Sequence, residues 1–89
     1  MERQVYVVNK LGLHARPAAE FVRCARTFES VVTIRKEGET YSAASILDVL
    51  TASLDCGSSM IIDADGPDAE KAIDTLAKLL LEFKKQEES

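Results

Sequence analysis

The chain has 89 residues, enough for one small domain over 1–89, and its 46% hydrophobic and 29% charged residues suit a buried core rather than disorder. With 11 basic against 15 acidic residues the formal net charge is −4, which argues against general binding to nucleic acid or to an anionic membrane. No apolar run approaches the roughly 20 residues of a spanning helix, and Met1-Glu2-Arg3 leads straight into a strand-like run, so neither membrane insertion nor a secretory leader is expected.

Val5 to Val8 is a short β-prone run. The period then changes: Ala18, Phe21, Val22, Ala25 and Phe28 recur at three- and four-residue steps, one face of a helix. Pro17 suits the first position of that helix, where its missing N–H costs nothing. Val31 to Ile34 is β-prone, Glu37-Gly38 is a turn, and a second short strand is expected around Thr40 to Ser42. Ile46, Leu47, Val49, Leu50 and Leu54 suggest a short helix, which Gly57-Ser58-Ser59 breaks. Met60 to Ala64 reads as a strand. Gly66-Pro67 opens a long amphipathic helix with Ala69, Ala72, Ile73, Leu76, Leu79, Leu80 and Phe83 inward. Lys84 and Lys85 suit the negative end of its dipole, and Gln86 to Ser89 should fray. This order implies two layers, with the helices on one face of a single sheet.

Two cysteines, Cys24 and Cys56, lie far apart, with no CxxC motif. With one histidine they make a poor metal set. Two reduced thiols in a cytoplasmic protein are expected, with neither metal nor cofactor.

The only histidine, His14, lies in "NKLGLHARPAAEF", Asn9 to Phe21, just outside the start of the first helix. The first N–H groups of a helix lack intrahelical partners, and the dipole is positive there. Such an end favours anions, phosphate above all. A neutral imidazole is a nucleophile, and Arg16 would add charge-assisted hydrogen bonds to a phosphoryl group. Gly12 lets the preceding loop bend. A loop histidine that merely caps or packs is the plainer reading of this geometry alone.

Ser45 precedes the second helix and Asp48 follows three residues later, a capping box that by itself explains both residues. Ile46, Leu47 and Leu50 cannot all be buried by so short a helix. Leu47 and Ile46 are expected to be partly exposed, the kind of apolar patch that marks a partner site.

"NKLGLHARPAAEF" closely resembles the active-site segment of the HPr family, the histidine-containing phosphocarriers of the bacterial phosphoenolpyruvate-dependent sugar phosphotransferase system, and of their nitrogen-branch relatives. "ASILDVL", Ala44 to Leu50, resembles the family's regulatory serine region. The resemblance covers nearly the whole chain. It implies an α+β open-faced β-sandwich, strand-helix-strand-strand-helix-strand-helix, with three helices on one face of a four-stranded antiparallel sheet. It further implies that His14 is phosphorylated on Nδ1 by enzyme I and unloaded by enzyme IIA, with Arg16 stabilising the group in transit. Ile46, Leu47 and Leu50 would dock both partners. An HPr kinase/phosphorylase would act on Ser45, and a relay presenting one face to several partners is expected to be a monomer. Many members carry glycine where this chain has Asp48, and methionine at Leu47 and Leu50. A carboxylate at 48 would repel a phosphate on Ser45, and nitrogen-branch relatives often lack this regulation.

Three other classes explain less. "ASLD", Ala52 to Asp55, faintly resembles the phosphopantetheine site of acyl carriers, but those are all-helical. A ligand-binding regulatory module would leave "LHARP" unexplained. Catalysis by Cys24 with His14 fails on reach, since Cys24 lies about two turns along the helix.

Overall fold

The computed structural model describes residues 1–88. Alternation within the strands decides which way the sheet faces. In β4 (Ser59–Asp65) Met60, Ile62 and Ala64 are buried, and the residues between them are not. β2 (Val31–Lys36) buries Val32 and Ile34 in the same way, and β1 (Glu2–Tyr6) buries Val5. β3 (Glu39–Ser42) completes a sheet of order β1-β4-β2-β3, antiparallel at every pairing. Lys36 pairs with Glu39 across a two-residue turn. Glu37 and Gly38 both have positive φ, 52° and 83°, as a type I′ hairpin requires.

The helices lie against the apolar face. α1 (Ala15–Ala25) contributes Ala18, Phe21, Val22 and Ala25 to the core, α2 (Ile46–Thr51) contributes Val49, and α3 (Ala69–Glu88) contributes Ala72, Ile73, Leu76, Leu80 and Phe83. The opposite face is mostly polar, with Tyr6, Val31 and Ile61 among its residues. Arg35 of β2 pairs with Asp63 of β4 at 3.4 Å and with Glu2 of β1, so one guanidinium ties three strands together. The architecture is the expected open-faced α+β sandwich, and its four strands exclude an all-helical acyl carrier.

Besides shifts of one to three residues at the ends of β2, β3, α2 and β4, four boundaries differ from expectation. The first strand is Glu2–Tyr6 rather than Val5 to Val8, because polar residues fill the outward face of this edge strand while β-prone residues mark only its buried end. Val7 stays buried beyond it, donating to Ser58 O at 2.9 Å. α1 starts at Ala15, so Pro17 is its third residue, a position whose N–H would also lack an intrahelical partner. α3 starts at Ala69, after Gly66-Pro67-Asp68, because Asp68 turns its carboxylate away to accept from Ser30 N and Glu29 N, both at 2.9 Å. The same helix runs through Glu88, so Gln86 to Glu88 are helical rather than frayed, while Ser89 lies outside the described residues.

Candidate active site

The loop from β1 to α1 is pinned on both sides of His14. Gly12 has φ +67°, and a Cβ there would stand 2.6 Å from Leu54 O and 2.9 Å from Asp55 Cα. Only glycine fits that approach. The next residue, Leu13, donates its N–H to Leu54 O at 2.8 Å and buries its side chain. Four residues beyond His14, Ala18 is fully buried. Between these anchors His14 is exposed.

His14 is the N-cap of α1, with extended backbone at φ −81°, ψ −170°. Its carbonyl accepts the first helical bond, from Ala18 N at 2.8 Å, and its side chain makes no capping bond. The ring is therefore left for other chemistry. The N–H groups of Ala15 and Arg16 have no intrahelical partner, and Pro17 has none to offer. No carboxylate stands in the first turn. His14 and Arg16 line one open depression of about 340 Å³ with Pro17, Phe83 and Glu87. Among the described residues the Arg16 side chain forms no ion pair or hydrogen bond, so its charge is uncommitted.

The site has a support that the sequence reading missed. Glu87 accepts from Asn9 Nδ2 at 3.0 Å, Lys10 N at 2.6 Å and Leu11 N at 3.2 Å. Asn9 Nδ2 also donates to Gly12 O at 2.9 Å. The hydrogen bond from Asn9, with those from Leu11 and Lys10 and the nearby His14 charge, holds the Glu87 carboxyl below the usual range against some loss of hydration. No local signal marks Glu87, because its partners lie 76 to 78 positions away.

α2 stands on the other flank. Its C-terminal side leads into Ala52–Asp55, the segment that backs Gly12 and Leu13. Leu47 is 74% exposed, Ile46 44% and Leu50 40%, while Val49 between them is fully buried. Ser45 is at the opposite end, the N-cap, with its Oγ accepting from Asp48 N at 3.2 Å. The capping box is only half formed. Asp48 Oδ2 accepts from Ser42 N at 2.9 Å, and Ser45 N bonds to Ser42 O instead. The carboxylate thus reaches past the cap to the end of β3.

Cys24 and Cys56 are both free; Cys24 is half-buried, which pushes its thiol up. Among the described residues no group of acidic, Cys and His side chains is placed to hold a metal, and no helix is long and apolar enough to cross a membrane.

A family model described as the PTS HPr component phosphorylation site matches residues 1–82. The chain belongs to the HPr family. A phosphocarrier role in the phosphotransferase system follows from that membership. The phosphocarrier HPr of Vibrio cholerae serotype O1 is 38% identical over 79 residues, 89% of this chain and 93% of that one. The phosphocarrier NPr of Shewanella violacea is 38% identical over 80 residues, covering 90% and 88%. The fold superposes on an HPr crystal structure from Thermoanaerobacter tengcongensis with a TM-score of 0.91 at 34% identity, over 96% of each chain. An HPr dimer from the same organism matches with a TM-score of 0.74 at 36% identity, over 88% of this chain and 90% of that one, so the family is not uniformly monomeric.

Proposed function

We propose that His14 is the phosphoryl acceptor of this HPr-family chain, loaded by enzyme I with a group that originates in phosphoenolpyruvate. The observation that supports this reading is an exposed imidazole fixed at a helix N-terminus between two buried anchors, beside an uncommitted arginine. The Nδ1 lone pair forms the new N–P bond as the bond from phosphorus to the donor breaks, and the donor atom leaves with its electron pair. The acceptor enzyme IIA reverses these roles. The loaded phosphoryl oxygens face the Ala15 and Arg16 N–H groups and the Arg16 guanidinium, which supply charge stabilisation without a deep pocket.

Ile46, Leu47 and Leu50 are the docking patch for both partners, since large exposed apolar side chains sit on the helix that leads into the segment backing the active loop. Ser45 is first a cap, and Asp48 opposes a phosphate on it, so an HPr kinase/phosphorylase is at most a secondary partner. The chain acts in the cytoplasm, in the sugar branch. Loading by a nitrogen-branch enzyme I, with refusal of the sugar-branch one, would reassign the branch. Nitrogen NMR of the ring during loading tests the acceptor: the Nδ1 signal of His14 should move, and a ring signal that stays fixed under full loading contradicts the reading.

A further inference from the structure

We infer that Glu87 is a positioning residue for transfer at His14, its carboxylate fixing the Asn9–Gly12 turn that aims the imidazole; this rests on the proposal that His14 is the acceptor. Three donors converge on its two oxygens: Asn9 Nδ2, Lys10 N and Leu11 N. Two of them are consecutive backbone N–H groups, the concave arrangement that selects an anion.

The placement has no reason within the helix itself. A carboxylate in the last turn of α3 lies at the negative end of the dipole, where a cation is favoured. The hydrogen bonds to the turn offset that cost. Phe83, one turn earlier and 2% exposed, anchors this end of α3 in the core, so the carboxylate is presented from a fixed element. Asn9 passes the restraint on. Its side chain is fully buried, and Nδ2 bridges Glu87 to Gly12 O, two residues before His14. The amide orientation is set by this bridge, since a flipped Asn9 would put its oxygen against two acceptors.

Without Glu87, Lys10 N and Leu11 N turn to water, and the turn keeps only its Asn9–Gly12 hydrogen bonds and the contacts of Gly12 and Leu13 with Leu54. A small displacement of a reacting group away from the chemistry's frame costs on the order of ten- to a hundredfold in rate. The Glu87 oxygens are taken up by the turn's three donors, so its removal should lower the turnover of transfer and leave the Michaelis constant for enzyme I within about twofold.

The experiment compares the full chain with Glu87→Ala and Glu87→Gln, using phosphoenolpyruvate and enzyme I as donor. Glu87→Ala should keep its fold by circular dichroism, lose amide-exchange protection at Lys10 and Leu11 alone, and drop in kcat by about tenfold or more. Glu87→Gln keeps the reach and one acceptor oxygen and should recover part of both losses. A Glu87→Ala protein with wild-type kcat, or with retained protection at Lys10 and Leu11, overturns the inference. So does a raised KM at unchanged kcat, which would make Glu87 a partner contact. If the wild type itself is not phosphorylated at His14, the acceptor assignment fails instead, and the exchange result is read separately.

Discussion

Leu54 O stands 2.6 Å from where a Cβ on Gly12 would be, so the segment after α2 and the loop before His14 meet backbone to backbone. The contact is sealed by Leu13 N donating to the same carbonyl at 2.8 Å. The segment that follows α2 and the loop before His14 are therefore held as one unit.

Gly12→Ala should break that unit. The substitution combines a left-handed φ with a clash against backbone that cannot swing aside, and should cost roughly 1–3 kcal/mol in a denaturant melt. Transfer at His14 should fall with it. A Gly12→Ala protein of wild-type stability would mean that the approach at Leu54 is looser than described.

Arg16→Ala should slow transfer and spare the fold, because Arg16 is exposed and without a partner among the described residues. Loss of a charge-assisted hydrogen bond of about 1.5–3 kcal/mol implies a decrease on the order of ten- to a hundredfold. Stopped-flow transfer from loaded enzyme I measures it. Unchanged rates with both donor and acceptor would remove Arg16 from the site.

Much of this arrangement is legible in the sequence, and the parts that are not share a cause. The period in Phe21, Val22 and Ala25 and the alternation in Met60, Ile62 and Ala64 mark α1 and β4 because each element pairs one regular geometry with one buried face. His14 before Ala-Arg-Pro marks the helix start to within two residues, since α1 begins at Ala15 rather than at Pro17. The polar end of β1 was illegible because its outward face is wet and its pairing with β4 is long-range. That the Asp48 carboxylate accepts from Ser42 N rather than from Ser45 N depends on how β3 enters α2. Glu87 has no meaning until α3 is folded back beside residues 9–11.

Ser45 should cap α2 whatever its regulatory fate. Ser45→Ala should cost about 1 kcal/mol, since Asp48 N loses its acceptor. Ser45→Asp should keep most of the cap, yet raise the Michaelis constant for enzyme I by placing a charge beside Ile46 and Leu47. An unaltered constant would leave Ser45 a cap alone.

Asp68 gives an acid-sensitive link between α3 and β2. The hydrogen bond from Ser30 Oγ, with those from the backbone of Glu29 and Ser30, holds its carboxyl below the usual range. The unfolded chain thus binds more protons between the folded value and the ordinary one of about 3.9. The stability contributed is full above that ordinary value and is lost as pH falls through the folded one. Asp68→Asn should be less stable than wild type at pH 7, and the gap should narrow below about pH 4. Paired denaturant melts across that range check it, and a gap independent of pH would contradict the linkage.

The most direct test of the account is intact mass after incubation with phosphoenolpyruvate and enzyme I. The wild type should gain the mass of one phosphoryl group, lost in acid and retained in base as a phosphoramidate requires, and His14→Ala should gain none. A His14→Ala protein that still takes up the group under the same conditions would contradict the assignment.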